Sequence, residues 1–337
     1  MNTAMDNIDD ILRQKRETRE QARELRNKKL TWKQQVARII LILFVGYIAI
    51  IGFLLWNETS LVYPGSKYPK GDWEPRDFAF EEIEFYSEDD TKLYGWYLPQ
   101  PTRDNTTNGI PNASDTSAAE TSESKTLESE ISHPKSHLTF LLCHGNAENI
   151  AESGRYMGGQ FRQKFNADVF AFDYRGYGKS EGIPFEAGVL EDSEAALEWL
   201  CKKTNKEPTE IILIGHSLGG GPAVHLASKF GCKVLILQRT FNSIAEAGQA
   251  KYPWLPVKYL MRNQYPSFEK IKTVTAPIFQ SHGDADTVIP IRLGKILFGN
   301  SPAKKKQFFE VEGMTHWDPL PLNYWTELAS FLETIDD

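Results

Sequence analysis

The most informative stretch of the chain is Ile211-Ile212-Leu213-Ile214-Gly215-His216-Ser217-Leu218-Gly219-Gly220-Gly221. Four consecutive aliphatic residues predict a strand that is buried on both faces, and the residues after Gly221 have the spacing of a helix. The sharp turn between them carries Gly-x-Ser-x-Gly, which is typical of a nucleophile elbow. Flanking glycines avoid Cβ clashes on such a turn, and the serine hydroxyl meets a helix N-terminus that favours negative charge. We therefore interpret Ser217 as a candidate nucleophile; the plainer alternative is a serine that caps the helix.

Around this stretch, strands and helices alternate from Leu138 onward with short loops between them. This alternation predicts an α/β fold with a mostly parallel sheet covered by helices on both faces. The predicted strands are Leu138–Cys143, Asp168–Phe172, Ile211–Ile214, Val234–Leu237, Pro277–Ser281 and Gln307–Val311. The predicted helices are Asn149–Lys164, Phe185–Lys203, Ser217–Phe230, Ile291–Phe298 and Leu322–Thr334.

Partners for a nucleophilic serine lie in two later loops. A serine hydroxyl needs a base to remove its proton, and the base needs an acid to orient it. Asp284 and Asp286 both follow the predicted strand Pro277–Ser281 and compete for the role of the acid. His316 lies in the loop between the last predicted strand and the last predicted helix, and it is the candidate base.

Six segments together resemble the α/β-hydrolase superfamily, and within it the single-pass, membrane-anchored serine hydrolases and their bacterial relatives. They are His144–Asn149, Asp173–Ser180, Gly215–Gly220, Thr240–Ile244, His282–Asp286 and Gly313–His316. The resemblance covers about residues 80–334, without the segment 101–136. It implies the α/β-hydrolase fold and a catalytic triad in the order Ser217, Asp286, His316, so that Asp286 is preferred to Asp284, which shapes the turn.

The resemblance also implies an oxyanion hole. One backbone N–H would come from Leu218, directly after the nucleophile, and the other from Asn146 or Ala147 in the loop after the strand that ends at Cys143. The chain departs from the family in two respects: a long insert over 101–136, and a hydrophobic span where the depalmitoylating relatives carry an N-terminal cysteine cluster.

The composition is that of a folded protein, and its charge is unevenly distributed. Of the 337 residues, 25% are charged and 41% are hydrophobic. The net charge is −7, but residues 1–38 carry ten basic and six acidic residues, a net of +4, which leaves −11 for residues 39–337. No globular part is basic, which argues against nucleic-acid binding. The three cysteines show no metal-ligand spacing.

One transmembrane helix is predicted over residues 39–56, where eighteen residues carry no charge. At ~1.5 Å per residue they extend ~27 Å, enough to cross the hydrocarbon core. Trp32 and Trp56 lie near the two ends, where interfacial aromatic residues are common. The polar, basic segment 1–38 and the bulky end of the span argue against a cleaved signal peptide. A buried helix of a soluble domain is the alternative.

The flanking charges predict the orientation of this span. The five basic residues nearest before it are Arg26, Lys28, Lys29, Lys33 and Arg38. Only Glu58, Lys67 and Lys70 follow it closely. By the positive-inside rule the N-terminus is cytoplasmic, and the hydrolase domain lies on the opposite side, whether periplasmic, lumenal or extracellular.

The remaining segments set the predicted domain boundaries. Residues 57–79 are rich in proline and aromatic residues and are interpreted as an irregular connector to an α/β domain over 80–337. This domain would begin with a hairpin of Phe80–Tyr86 and Thr91–Leu98. The low-complexity insert 101–136 is predicted to be disordered because it has too few apolar residues to offset its ordering entropy. The aromatic excursion 243–265 is a possible cap.

The sequence thus predicts a membrane-anchored serine hydrolase that cleaves an ester, thioester or related acyl bond through an acyl-enzyme. Its substrate would be an acyl-containing small molecule or a lipid, and it would need no metal or organic cofactor. One alternative is an aminopeptidase-like hydrolase with the same triad, although 243–265 holds no acidic cluster to bind a substrate amine. The other is a non-catalytic, membrane-anchored interaction protein that retains the fold.

Overall fold

A computed structural model describes residues 12–23, 31–76, 78–101 and 137–336. The chain divides into two compact units, Met1–Trp56 and Asn57–Asp337. The predicted disordered insert lies, from residue 102, outside the described residues, and so does part of the segment 1–38.

The first unit contains a helix over 12–23 (α1) and a helix over Trp32–Trp56 (α2). α2 includes the predicted span and begins seven residues before it. Thr31 and Gln34 explain this start, because the Thr31 N–H donates to Gln34 Oε1 at 2.9 Å and the Gln34 N–H donates to Thr31 Oγ1 at 3.4 Å. These reciprocal bonds form a capping box. An eighteen-residue window of α2 has a mean hydropathy of 2.8, so the helix is long and apolar enough to cross a membrane.

The second unit is organised around an eight-stranded sheet in the order β1-β2-β4-β3-β5-β6-β7-β8. Its strands are β1 Glu81–Tyr86, β2 Lys92–Leu98, β3 Thr139–Cys143, β4 Asp168–Asp173, β5 Ile212–His216, β6 Val234–Gln238, β7 Ile278–Gly283 and β8 Lys306–Val311. β1 and β2 are antiparallel to their neighbours, and every pair from β4 to β8 is parallel. The predicted mostly parallel sheet is confirmed.

Helices pack on both faces of this sheet. The helices of this unit are α3 Glu58–Val62, a wide π-helix Ile150–Gly158 that continues as α4 Gly159–Phe165, α5 Glu186–Thr204, α6 Gly220–Phe230, α7 Ile244–Lys251, α8 Val257–Leu260, α9 Ser267–Lys270, α10 Ile291–Asn300 and α11 Leu322–Asp336. Short 3-10 turns occupy Pro208–Glu210, Ser217–Gly219 and Ile271–Thr273.

Two hydrophobic clusters form the core because side chains alternate between the faces of each strand. Leu141 and Leu213 pack in one cluster with residues of α5, α6 and α10. Phe140 and Ile212, their neighbours in sequence, pack in the other with residues of α4 and α11. The strands and helices predicted for this second unit are present with ends that differ by at most two residues, counting the 3-10 turn at Ser217 as the start of its helix.

The predicted irregular connector over 57–79 differs from the structure. It begins with the helix α3, and the compact unit starts at Asn57 instead of near Phe80. Val62, Tyr63 and Trp73 are buried, so these apolar residues belong to the core of the unit. A five-residue helix is too short to produce a detectable hydrophobic period, and the prolines made the stretch resemble a loop.

Candidate active site

The turn between β5 and α6 has the geometry of a nucleophile elbow. Ser217 follows the last residue of β5 and has φ +52°, in the left-handed region that non-glycine residues rarely adopt. Such a conformation costs of order 1–3 kcal/mol and persists only when its surroundings hold it. Thr240 supplies one restraint, because its hydroxyl donates to the Ser217 carbonyl at 2.8 Å.

Glycines allow this turn to pack closely against the neighbouring strand. A Cβ at Gly219 would lie 2.0 Å from the carbonyl oxygen of Cys143, at the end of β3. A Cβ at Gly215 would lie 2.7 Å from the carbonyl oxygen of Gly219 itself. Both distances are far shorter than any van der Waals contact, so side chains at these positions would force the elbow away from the sheet.

The structure brings together the three side chains predicted to form the triad. His316 Nε2 lies 3.0 Å from Ser217 Oγ, and His316 Nδ1 lies 2.7 Å from Asp286 Oδ2. Asp286 comes from the loop between β7 and α10, and His316 from the loop between β8 and α11. All three residues are buried. Nucleophile, base and acid therefore come from the carboxyl ends of three parallel strands, where the catalytic residues of open α/β folds lie.

Asp286 is held as an ionised acceptor. Its Oδ1 accepts hydrogen bonds from the N–H groups of Val288 at 2.9 Å and Ile289 at 2.8 Å. Burial tends to raise the pKa of Asp286, but hydrogen bonds from His282, His316 and the Ile289 N–H together lower this pKa well below its ordinary value. A carboxylate beside Nδ1 favours the His316 tautomer whose Nε2 can accept the proton of Ser217.

Asp284, the alternative candidate for the acid, has a different structural role. Asp284 is exposed, and its Oδ1 accepts a hydrogen bond from the Gly313 N–H at 2.6 Å. It therefore ties the loop after β7 to the loop that carries His316.

The loop after β3 lies directly against the elbow. A Cβ at Gly145 would lie 3.6 Å from Ser217 Cβ. The Asn146 carbonyl accepts a hydrogen bond from Tyr177 Oη at 3.0 Å, and Asn146 Nδ2 donates to the Val62 carbonyl at 3.2 Å. These bonds fix the backbone of the loop. Within the described residues, neither the Asn146 N–H nor the Ala147 N–H donates a hydrogen bond.

The third predicted oxyanion donor, the N–H of Leu218, lies in the first turn at the start of a helix. Leu218 is buried in the 3-10 turn Ser217–Gly219, which continues into α6. N–H groups in a first helical turn have no intrahelical acceptor. The amides of Leu218, Asn146 and Ala147 are therefore candidates for binding an anion, and their catalytic role stays a prediction.

His144 supports the loop after β3 that carries Asn146 and Ala147. Burial lowers the pKa of His144 to about 4, so its imidazole is neutral at physiological pH. Its Nδ1 lies 2.7 Å from the Gly145 carbonyl oxygen, and its ring packs against those of Tyr174 and Tyr177. The Tyr174 hydroxyl donates to the His144 carbonyl at 2.9 Å. These contacts give His144 a structural role.

Comparison with known proteins agrees with this geometry. A family model described as "alpha/beta hydrolase fold" matches residues 139–273. Protein bem46 of Schizosaccharomyces pombe is 30% identical over 298 residues, which cover 85% of this chain and 89% of bem46. The chain belongs to the α/β-hydrolase family.

Two other similarities of this α/β-hydrolase either cover less of the chain or have a lower sequence identity. The uncharacterized protein Rv2307c of Mycobacterium tuberculosis is 38% identical over 179 residues, 53% of this chain and 63% of Rv2307c, so the match spans less than two thirds of that relative. The solved structure of Pyrococcus furiosus esterase Pf2001 superposes with a TM-score of 0.58 at 17% identity, covering 80% of this chain and 98% of the esterase. At this identity the likeness shows the fold alone. Family and fold together support a hydrolase.

Sequence reasoning missed one buried cation of the hydrolase site. The Arg239 guanidinium donates to the His316 carbonyl at 2.7 Å and to the Asp318 carbonyl at 2.5 Å, and it lies 3.3 Å from Met314 Sδ. Arg239 thus contacts three residues of the loop that carries the candidate base. The sequence did contain a hint of this role. An arginine that directly follows an apolar strand is buried at the end of that strand, and a buried arginine is expected to have specific partners.

Glu148 is a second residue that sequence reasoning missed, and it directly follows the predicted oxyanion residues Asn146 and Ala147. Its Oε2 is buried and has no hydrogen-bond partner among the described residues. Burial, and next the neighbouring Glu152, raise the pKa of Glu148 to about 7, while Arg239 and Lys70 oppose the shift. This carboxyl group therefore titrates near neutral pH beside the site. In the part of the chain that the structure describes, no group of three or more His, Cys, Asp or Glu side chains is placed to hold a metal ion.

Proposed function

We propose that the chain is a serine hydrolase, anchored in a membrane by α2, that cleaves an ester, thioester or related acyl bond. One observation carries the proposal: the continuous path from Ser217 Oγ to His316 Nε2 at 3.0 Å and from His316 Nδ1 to Asp286 Oδ2 at 2.7 Å. Both distances lie within the range of hydrogen bonds that transfer or stabilise a proton. A protein that kept the fold only to bind partners would not need this alignment.

The proposed reaction uses groups of the chain and water. His316 Nε2 takes the Ser217 proton while Oγ attacks the substrate carbonyl, and the Asp286 carboxylate stabilises the imidazolium that forms. The N–H groups of Leu218 and of Asn146 or Ala147 would stabilise the oxyanion. His316 then gives its proton to the departing alcohol or thiol. A water molecule repeats the sequence on the acyl-enzyme, releases the acid and restores Ser217.

The test compares Ser217→Ala with a matched control, Ser228→Ala. Ser228 lies on α6, where its hydroxyl contacts Thr273 Oγ1 at 2.8 Å. We expect Ser217→Ala to lower kcat on a short-chain aryl ester by ~10³-fold or more and to abolish labelling by a fluorophosphonate probe, because the nucleophile is gone. Ser228→Ala should retain both. Folded wild-type protein that hydrolyses no acyl substrate and takes up no probe would support a non-catalytic protein instead.

A substrate panel addresses the acyl bond itself. Esters and thioesters of graded chain length, measured beside aminoacyl amides, would separate an acyl hydrolase from an aminopeptidase-like enzyme with the same triad. We expect the esters and thioesters to be preferred. A preference for substrates with a free amine would favour the peptidase.

The proposed anchor places the N-terminus in the cytoplasm and residues 57–337 across the membrane, because basic residues are concentrated before the span. Two measurements test this arrangement. Alkaline carbonate should leave the protein in the membrane fraction, whereas a peripheral protein would be released. A C-terminal tag should resist protease added to the cytoplasmic side of sealed vesicles, and its digestion there would reverse the orientation.

A further inference from the structure

We propose that the surface formed by residues 251–262, called here the aromatic surface, lies in the headgroup layer of the bilayer that α2 spans. This inference depends on the membrane insertion proposed above, but not on the proposed chemistry. It is carried by two independent features of the second unit: a clamp between the start of the unit and this surface, and the side chains that the surface exposes.

The clamp is made by Glu58, which is only 4% exposed. Its Oε1 accepts hydrogen bonds from the Arg262 N–H at 2.9 Å, the Asn263 N–H at 2.8 Å and Asn263 Nδ2 at 2.7 Å. Its Oε2 lies 3.1 Å from Arg262 Nε. Burial tends to raise the pKa of Glu58, but the hydrogen bonds from Asn263 and Arg262 lower it below its ordinary value, so the carboxylate is ionised and the clamp is closed at neutral pH.

Chain connectivity limits how far this clamp can be from the membrane. Glu58 is the second residue after Trp56, the last residue of α2. Two residues extend the chain by at most ~7 Å. The headgroup layer on each side of a bilayer is about 5–8 Å thick. If α2 spans the bilayer, Glu58 lies within or beside the headgroups, and Arg262 is in direct contact with Glu58.

The aromatic surface has the chemistry of a membrane interface. Trp254 is 58% exposed and Tyr259 is 78% exposed, and Tyr252 and Leu260 are exposed beside them. Tryptophan and tyrosine are the residues that concentrate where hydrocarbon meets headgroups. Leu255, in the same segment, is buried in the unit, which attaches the surface to the rest of the fold.

The charges of the segment agree with an anionic or zwitterionic lipid surface. Residues 251–262 contain Lys251, Lys258 and Arg262 and no acidic residue, although residues 39–337 carry a net −11. Lys251 lies over the ring of Tyr252 at 5.9 Å and Lys258 over that of Tyr259 at 5.2 Å. Glu246 lies 3.6 Å from Lys258, and Glu58 lies beside Arg262. Lysine stems that cover aromatic rings are typical of side chains that reach from an apolar layer to its polar boundary.

The first experiment measures lipid contact in the full-length protein, reconstituted in vesicles of phosphatidylcholine and phosphatidylglycerol in equal amounts. A Cys201→Ser background removes the partly exposed native thiol, since Cys143 and Cys232 are buried. A nitrobenzoxadiazole probe is then attached in Tyr252→Cys or in a matched control, Phe230→Cys. Tyr252 and Phe230 are both 38% exposed, but Phe230 lies at the end of α6 that is distant from the elbow.

We expect lipids with brominated chains to quench most of the probe emission at position 252, with a blue shift, and to leave position 230 unchanged. Equal quenching at the two positions would overturn the proposal. A blue shift at 252 without quenching by lipid would also overturn it, because that result would indicate contact with a protein.

The second experiment uses activity on two substrates. Trp254→Ser combined with Tyr259→Ser should lower hydrolysis of a long-chain ester embedded in the vesicles by about five- to ten-fold, because interfacial contact is weakened, and should leave hydrolysis of a water-soluble ester unchanged. Phe230→Ser is the matched control and should change neither rate. Equal loss on both substrates would contradict an interfacial role. Absence of any hydrolysis by the wild type would contradict the proposed chemistry but leave the quenching result valid, and release by alkaline carbonate would identify a failure of the anchor.

Discussion

At the scale of single residues, Arg239 links the strand beside the nucleophile to the loop that carries the candidate base. Its backbone N–H bonds to the Ser281 carbonyl on β7 at 2.9 Å, and its guanidinium bonds to the His316 carbonyl at 2.7 Å. The next residue, Thr240, bonds to the Ser217 carbonyl. Two consecutive residues directly after β6 thus position both the nucleophile and the base. Arg239 is a positioning residue because it touches neither reacting atom.

Replacing this guanidinium should affect turnover more than substrate binding. We expect Arg239→Met to lower kcat ~10- to 100-fold, since a small displacement of His316 is enough for such a loss, with KM for a soluble ester nearly unchanged. Arg239→Lys should recover part of kcat because one charged donor remains. Steady-state kinetics on detergent-solubilised protein measures both constants.

Arg292→Met, on the exposed face of α10, is the control and should leave kcat unchanged. A merely structural role for Arg239 predicts a lower fraction of folded enzyme with unchanged kcat per labelled site, as counted with a fluorophosphonate probe. That outcome would contradict the positioning role.

Glu148 provides a pH prediction at the same scale. Its pKa is raised from 4.5 to about 7 in the folded protein, mainly by burial, so the folded state holds a proton that the unfolded state has released between these values. Stability must therefore fall as pH rises from 4.5 to 7 and stay lower above it. Glu148→Gln removes this loss, and we expect the variant to gain up to about 3 kcal/mol relative to wild type between pH 4 and pH 8. Denaturant unfolding in detergent at both pH values measures the difference, and a constant difference across this range would refute the prediction.

At the scale of elements, the close approach of the elbow to β3 predicts two opposite responses to the same substitution. Gly219→Ala would place a Cβ 2.0 Å from the Cys143 carbonyl oxygen, whereas a Cβ at Gly299 on α10 meets nothing within 4 Å. We expect Gly219→Ala to destabilise the protein by several kcal/mol and to abolish activity, because backbone atoms cannot yield as a flexible side chain can. Gly299→Ala should be neutral or stabilise α10 by up to ~1 kcal/mol.

Thermal unfolding and hydrolysis of a soluble ester, measured for both variants, check this contrast. A Gly219→Ala protein with wild-type stability and activity would show that the elbow is not packed as tightly against β3 as the structure indicates.

Strands and helices were predictable from the sequence where they were long enough to show a hydrophobic pattern. The strands β3 to β6 are buried on both faces and appear as aliphatic runs, and the helices predicted around the sheet are ten residues or longer, except the one that starts as a π-helix. The helix α3 was missed because five residues show no period. The π form of Ile150–Gly158 was missed because hydrophobic spacing does not report the hydrogen-bond register.

The residues of the candidate site also divide into those that the sequence predicts and those that only the structure shows. Ser217, Asp286 and His316 could be singled out because each follows a predicted strand, and parallel strands bring their carboxyl ends together. The contacts of Arg239 and Glu148 could not be predicted in this way. They depend on the direction of a side chain across a loop and on burial by residues that are distant in sequence. Asp284 and Asp286 were separated by the resemblance to a family, and the structure shows why their surroundings differ: one is exposed, and the other is buried against His316.

At the scale of the whole molecule, the boundary of the hydrolase unit is set by polar contacts that the sequence does not display. Tyr63 Oη lies 3.0 Å from Asn263 Oδ1 and 2.9 Å from Tyr265 Oη, and all three residues are buried. Together with the Glu58 clamp, these bonds attach the segment after α2 to the region between β6 and β7. The unit that begins at Asn57 is thus complete only with residues that the composition had assigned to a connector.

Two truncations test this boundary. A chain that starts at Asn57 keeps Glu58, Val62, Tyr63 and Trp73, whereas a chain that starts at Phe80 loses all four. Each large apolar side chain contributes about 1.5–3 kcal/mol by burial, so losing three removes about 5–9 kcal/mol, which is comparable to the total stability of an ordinary domain. The deletion also leaves the buried side chains of Asn263 and Tyr265 without these partners, at a further cost of about 1–3 kcal/mol each.

We expect the chain from Asn57 to fold, to take up a fluorophosphonate probe and to hydrolyse a soluble ester at the full-length rate, and the chain from Phe80 to aggregate. Equal cooperative unfolding of the two would show that residues 57–79 are a connector after all.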